Sequence, residues 1–293
     1  MPIPTSKTPA GSQKSELQPD DVQILRLLAN DFLLLSNEQI FQLLPNRPPR
    51  AINRRLERLV NAGYLSRRYP SRLFLNTTRA SYAVGPEAAR VPMLETSDSQ
   101  LLARLQRSRD FSDTALPHLF FTNMIQIKFL TAGNQYPDYR LESWIQQYDP
   151  LWAKLNQEGF HLQPDGLAKL WKGDRRFLYF IEADRGTYRG EHLEKRLALY
   201  VRYASKYPHA TTFEFKHPRF RVLFIAESPD RAKGLLKTLV PYHPDLFWVT
   251  SWEDFSSQSL FHPNWRAHDA LGLHALDEAC QLPPDPPEPP PPP

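Results

Sequence analysis

Apolar residues recur at helical spacing soon after the start of the chain. Val22, Leu25, Leu28 and Ala29 follow Asp20-Asp21, which can cap a first helix. Ser36, with Gln39 three residues on, is a capping box for a short second helix over 37–44. A third helix opens at Pro48-Pro49 and stops at Gly63. At 100° per residue it gathers Ile52, Leu56, Leu59 and Val60 on one face, with Arg50, Arg54, Arg58 and Asn61 opposite. Past it the period changes to two. Tyr64–Tyr69 and Arg72–Asn76 alternate like two strands around Pro70-Ser71, and Ala83-Val84 is a candidate third.

Beyond a connector over 91–116, where Ser97 can cap a short helix carrying Leu101, Leu102 and Leu105, a second patterned region begins. Leu119, Thr122, Ile125, Gln126 and Phe129 form a helical face, although the β-branched and aromatic content leaves a strand open. A strand-like stretch over 139–147 follows, then two apolar strand-like runs, 160–171 and 176–184, as a candidate hairpin. A helix over 190–207, a strand over 220–226, a helix over 229–239 and a strand over 246–250 complete the pattern. The order α-β-β-β-α-β-α-β joins an antiparallel meander to a crossover with a parallel strand.

Composition limits what this architecture can do. With 41% hydrophobic and 12% aromatic residues, the chain has enough apolar material for folded domains. A single cysteine, Cys280, excludes an intrachain disulfide or a cysteine-rich zinc site and fits a reducing compartment. The first residues lack the apolar core of a signal peptide, and no window approaches the roughly 20 apolar residues of a membrane span. The expectation is a cytoplasmic protein with no membrane partner. The Ser/Thr/Pro/Lys-rich start (1–17) reads as disordered, and the end from Pro283, with nine prolines in eleven residues, as a stiff polyproline rod.

Charge is unevenly placed. Arg47 to Arg72 hold eight arginines, no lysine and one acid, Glu57, which is +7; the whole chain is +4, so the remainder carries −3. Concentrated positive charge of this kind is the footprint of a phosphate-binding surface. Three helices and a basic hairpin describe a winged helix-turn-helix. Its third helix would enter the major groove of double-stranded DNA, and Arg67, Arg68 and Arg72 in the wing would meet phosphates. The candidate DNA-binding residues are therefore Arg47, Arg50, Asn53, Arg54, Arg58, Arg67, Arg68 and Arg72.

The second region brings acids to strand ends: Asp165 after Pro164, then Glu182 and Asp184. Hard divalent cations want oxygen ligands, so such carboxylates are candidates for holding Mg²⁺ or Mn²⁺. His118 and His192 read as capping or core residues, His161 beside Pro164-Asp165 could ligate metal or phosphate, the other six histidines show no metal-ligand spacing, and no phosphate-cradling Gly-x-x-x-x-Gly-Lys-Ser/Thr run occurs. An acid on the second strand and Glu-x-Asp on the third, in this element order, resemble the core of the PD-(D/E)XK restriction-endonuclease-like superfamily.

Over residues 18 to 255 the chain also resembles the replication-relaxation family of plasmid and mobile-element proteins. The features carrying this are the N-terminal winged helix, His118 and Asn123, Pro164-Asp165-Gly166, E-A-D-R-G-T (182–187), R-L-A-L-Y (196–200) and R-V-L-F-I-A (221–226). The resemblance implies a mixed α+β or α/β chain: a winged helix-turn-helix domain (18–90), a linker (91–116), a restriction-endonuclease-like mixed-sheet domain (117–255) and an extension with a Pro-rich tail (256–293). It implies catalytic residues Asp165, Glu182 and Asp184, with Asp165 and Glu182 binding the metal, if the site is active. One departure stands out: Asp184 occupies the position where the superfamily places lysine. Lys195 on the next helix is a substitute pointing away from the apolar face, Arg196 lies nearer but cannot act as a base, and Asp184-Arg185 can form an ion pair instead.

The function expected is DNA binding in replication or mobilisation of a plasmid or mobile element, with the second domain as a scaffold. A Mg²⁺-dependent DNA endonuclease and a winged-helix transcriptional regulator are the alternatives. Other plasmid or mobile-element proteins are candidate partners, and homo-oligomerisation stays open.

Overall fold

The computed structural model describes residues 16–69, 80–94, 97–157, 159–186, 190–206, 220–267 and 272–278. It is a mixed α+β structure with two sheets, falling into two units, Met1–Phe120 and Phe121–Pro293. The proline-rich tail, the expected strand 72–76 and Arg72 lie outside the described residues, as does the chain start up to residue 15.

In the first unit, α1 (Pro19–Arg26) continues into a π-helical turn over Leu27–Asp31. Asp21 closes the start of α1 by accepting the Gln18 backbone N–H at 2.8 Å. A two-residue strand β1 (Leu35–Ser36) leads into α2 (Asn37–Leu43). There Ser36 and Gln39 satisfy each other's backbone N–H groups, at 3.1 and 3.3 Å, as a capping box should. Helix α3 (Pro49–Asn61) has proline in its first turn and ends ahead of Gly63, whose φ of +78° favours glycine. Ile52, Leu56 and Leu59 are buried, each contributing about 1.5–3 kcal/mol of transfer free energy.

Strand β2 (Leu65–Arg68) pairs antiparallel with β3 (Ser81–Val84), Leu65 opposite Val84 and Arg68 opposite Ser81, and β1 adds to the far side of β3. Ser81–Val84, which takes in the expected Ala83-Val84, is buried along its whole length and makes the central strand of this sheet. The stretch read as a connector carries α4 (Asp98–Asp110), capped by Ser97. Arg104 on α4 donates to the carbonyls of Leu28, Asn30 and Phe32, which the end of the π-helical turn leaves without helical partners.

Helix α5 (Leu116–Thr131) settles the helix-or-strand ambiguity in favour of helix. The second unit is built on a five-stranded sheet: β4 (Tyr139–Gln146), β5 (Gly166–Lys172), β6 (Arg175–Asp184), β7 (Arg221–Ala226) and β8 (Phe247–Ser251), side by side in that order. The first three are antiparallel and the last three parallel. Alternation along β6 serves two cores. Phe177, Tyr179, Ile181 and Ala183 join Phe129 of α5, while Leu178 and Phe180 join α7 (Glu191–Lys206) and α8 (Pro229–Leu239). Two short helices, α6 (Leu151–Gln157) and α9 (Trp252–Ser257), were not foreseen from spacing.

The hairpin strand expected from Phe160 begins only at Gly166. His161 has a φ of +48° and Pro164 has no N–H to give, so neither can continue a ladder. At Gly166 a side chain is barred outright: an added Cβ would sit 2.4 Å from Cζ2 of Trp144. Gly166→Ala is expected to destabilise this unit by about 1–3 kcal/mol through overpacking. Urea denaturation checks this by a lowered midpoint at unchanged m-value.

Candidate nucleic-acid interface and acidic cluster

The α3 face opposite the apolar stripe is not uniform. Two acids from the first turn of α1, Asp20 and the fully buried Asp21, sit against part of it. Arg55 spans both, each contact at 3.0 Å. Arg47 pairs with Asp20 at 2.9 Å, and Arg58 with Asp21 at 2.5 Å. Buried carboxylates need such partners, so these arginines hold α1 to α3 before they can meet any ligand. Arg50 and Arg54 are exposed and have no acidic partner among the described residues. Between them Asn53 is exposed, its Oδ1 accepting from Nδ2 of Asn37 at 2.9 Å.

The basic hairpin divides in the same way. Arg67 is exposed, its guanidinium 5.5 Å from the ring centroid of Tyr69. Burial pushes the nearby Tyr82 hydroxyl pKa up, against the opposing pull of Asn37 and Arg67. Arg68, expected to meet phosphate alongside it, turns inward, donating to the Phe111 carbonyl at 2.6 Å and pairing with Asp113. Arg55, Asp20 and Asp21 escaped the sequence reading as a unit. Only the packing of α1 across α3 brings them together, and an acidic pair in a first helical turn reads as ordinary capping.

The three acids of the second unit are all buried, and each has its own partners. Asp165 precedes β5: its N–H donates to the Ile181 carbonyl at 3.0 Å, and its Oδ2 accepts the Ala183 N–H at 2.8 Å. Glu182 and Asp184 alternate onto the β6 face covered by α7 and α8. Oε1 of Glu182 accepts from Arg196 Nε at 3.0 Å, Arg196 Nη2 at 2.7 Å and the Tyr200 hydroxyl, while Oε2 has no hydrogen-bond partner among the described residues. Asp184 is held bidentately by Arg231, Nε to Oδ1 at 3.0 Å and Nη2 to Oδ2 at 2.7 Å. Its expected neighbour Arg185 pairs with Glu227 instead, at 3.5 Å.

This donor set does not fit a divalent cation. Guanidinium groups occupy the coordination directions of Asp184 and one oxygen of Glu182, placing positive charge where a metal would need to be. No three His, Cys, Asp or Glu side chains converge to hold a metal among the described residues. Lys195 is spent on Glu191 at 2.7 Å, four residues earlier along its own helix. Burial, with a smaller push from the nearby Asp165 charge, raises Glu182 to about 7 against the pull of Arg196 and Tyr200. The Tyr200 hydroxyl is raised well above its ordinary value, first by burial and then by the Glu182 charge. Sequence spacing pointed to Arg196; nothing in it pointed to Arg231, which reaches Asp184 through the crossover between β7 and β8.

A family model described as replication-relaxation matches residues 25–214. Among curated proteins none matches. The chain is similar over part of its length to the solved structure of Lactococcus lactis ZitR, wild type, in complex with DNA: 20% identity, covering 42% of this chain and 77% of that one, with a TM-score of 0.22. No helix among the described residues is long and apolar enough to cross a membrane.

Two outcomes follow from the pairing. Because the folded Glu182 carboxyl titrates near 7 against 4.5 when unperturbed, its protonated form stabilises the fold below about pH 4.5 and that contribution fades as pH rises to about 7. Urea midpoints from pH 4.5 to 8 should therefore decline less for Glu182→Gln than for the parent. Arg231→Met strands the buried Asp184 charge and should cost about 3–5 kcal/mol, read at pH 7 in the same assay.

Proposed function

The chain belongs to the replication-relaxation family, and from that premise we propose that it is a double-stranded DNA-binding protein acting in replication or mobilisation of a plasmid or mobile element. In this reading the first unit is a winged helix-turn-helix and α3 enters the major groove. The second unit is a restriction-endonuclease-like scaffold without metal chemistry. The observation that carries the DNA assignment is the exposed Arg50-Asn53-Arg54 surface, whose two guanidiniums have no acidic partner among the described residues although three neighbouring arginines pair with Asp20 and Asp21.

Division of labour on this face follows from the ion pairs. Arg50 and Arg54 approach phosphate or a guanine edge without first breaking an internal contact, and Asn53 is positioned by Asn37 for a base edge. Arg67 supplies a further cation from the hairpin. Arg47, Arg55 and Arg58 act mainly by fixing α3 on α1, lending long-range field more than direct contact. The scaffold reading of the second unit is supported by Arg196 and Arg231, which pair with Glu182 and Asp184 without a metal.

Titration of a labelled duplex at several salt concentrations tests both parts. Arg50→Ala/Arg54→Ala should lower affinity at least tenfold at low salt and reduce the slope of log K against log salt by about 2, without lowering the melting temperature. Arg58→Ala should instead lower thermal stability while leaving a shallower binding defect. Duplex affinity and slope unchanged in the double variant would sink the α3 assignment. Metal-dependent nicking by the parent that Asp165→Ala abolishes would overturn the scaffold reading.

A further inference from the structure

A second basic surface lies within the sheet of the other unit, well away from the acids at the opposite end of β5. Arg140 on β4, Trp171 on β5 and Arg176 on β6 stand directly across from one another in register. The Trp171 ring is flanked by the two guanidiniums, 5.7 Å from Arg140 and 5.6 Å from Arg176 to its centroid. Glu142 anchors one side of this row, accepting from Trp171 Nε1 at 2.9 Å and Arg176 Nε at 2.8 Å, with Lys169 at 3.5 Å. Burial would push the Glu142 carboxyl up, yet the bonds from Arg176 and Trp171 and the charges of Arg176 and Lys169 hold it below its ordinary value. One carboxylate therefore faces two cations, Lys169 and Arg176, and Arg140 is exposed with no acidic partner among the described residues.

Beside Arg140 and Trp171 opens a cleft of about 240 Å³, walled also by Pro137, Tyr139 and the Gly173 turn. The one acid on its wall, Asp138, is bound to Lys172 at 2.6 Å and does not repel an incoming anion. The cleft is smaller than the ~300 Å³ at which pockets for drug-sized ligands begin, which suits one ring system. An indole with a cation over its ring, beside an uncompensated guanidinium and on rigid paired strands, combines a stacking platform with a phosphate contact.

We propose that this end of the sheet binds single-stranded DNA, one unpaired base entering the cleft against Trp171 while Arg140 holds the adjoining phosphate. A duplex keeps its bases stacked on one another and cannot fill the cleft, so the site distinguishes single from double strands by shape. The inference stands on residues separate from α3 and does not depend on the reading of that helix.

Fluorescence anisotropy of the full chain with a labelled 20-mer of thymidine, and in parallel with a 20-base-pair duplex, provides the test. Arg140→Glu and Trp171→Leu should each weaken binding of the single strand between about fivefold and a hundredfold, as loss of a stacked base contact does. Duplex affinity should stay within about twofold. Single-strand binding equal to the parent in Arg140→Glu overturns the proposal, and this exposed position keeps the test decisive even if Trp171→Leu melts early. Equal losses on single strand and duplex also overturn it, since they mark a general anion surface. Failure of the α3 assignment is read separately, from the duplex titrations of the Arg50 and Arg54 variants.

Discussion

Carboxylates taken out of water set the arrangement of both units. Asp21, Glu182 and Asp184 are completely buried, and a buried charge is tolerated only when an opposite charge and hydrogen bonds replace its hydration. Each is answered by arginine: Asp21 by Arg55 and Arg58, Glu182 by Arg196, Asp184 by Arg231. These pairs contribute little net stability over apolar residues of the same shape. Their force lies in the penalty for breaking them, which locks α1 to α3 in one unit and α7 and α8 to β6 in the other.

That constraint sorts arginines that look equivalent in composition. In the first unit eight of them in 26 residues suggested one continuous phosphate-binding face. Internal pairing divides this supply into residues that build the helix platform and residues that remain available on it. Arg50, Arg54 and Arg67 point outward, whereas Arg58 and Arg68 complete ion pairs with Asp21 and Asp113. A surface with fewer but uncommitted guanidiniums is better organised for recognition, because no internal contact has to be given up on binding.

In the second unit the same chemistry acts against metal binding. The sheet, its flanking helices and the strand-end acids have the layout that invites a divalent cation, but fixed guanidiniums supply the counter-charge permanently. At the other end of the sheet Arg140, without an acidic partner among the described residues, and Arg176, bonded to Glu142, flank Trp171 across three strands. Acidic and basic ends of one rigid β-hairpin thus serve separate purposes, the former holding helices and the latter facing outward.

Most elements were legible in the sequence because local rules suffice for them. Ser36 with Gln39, Pro49 and Gly63 announce helix ends, the α3 stripe of Ile52, Leu56 and Leu59 announces its buried face, and the apolar run Phe177 to Ile181 announces β6. The concentration of arginines and the placing of Asp165, Glu182 and Asp184 near strand ends were equally plain. Local signals failed where pairing is non-local. β5 starts at Gly166 and not at Phe160, because His161 and Pro164 cannot extend it. Linear order says which residues carry charge and which face of an element they share. Whether a given arginine meets solvent, as Arg50 does, or a buried carboxylate, as Arg231 does, depends on helices brought together across tens of residues. Only the tertiary structure decides that, because desolvation is a property of packing and not of spacing.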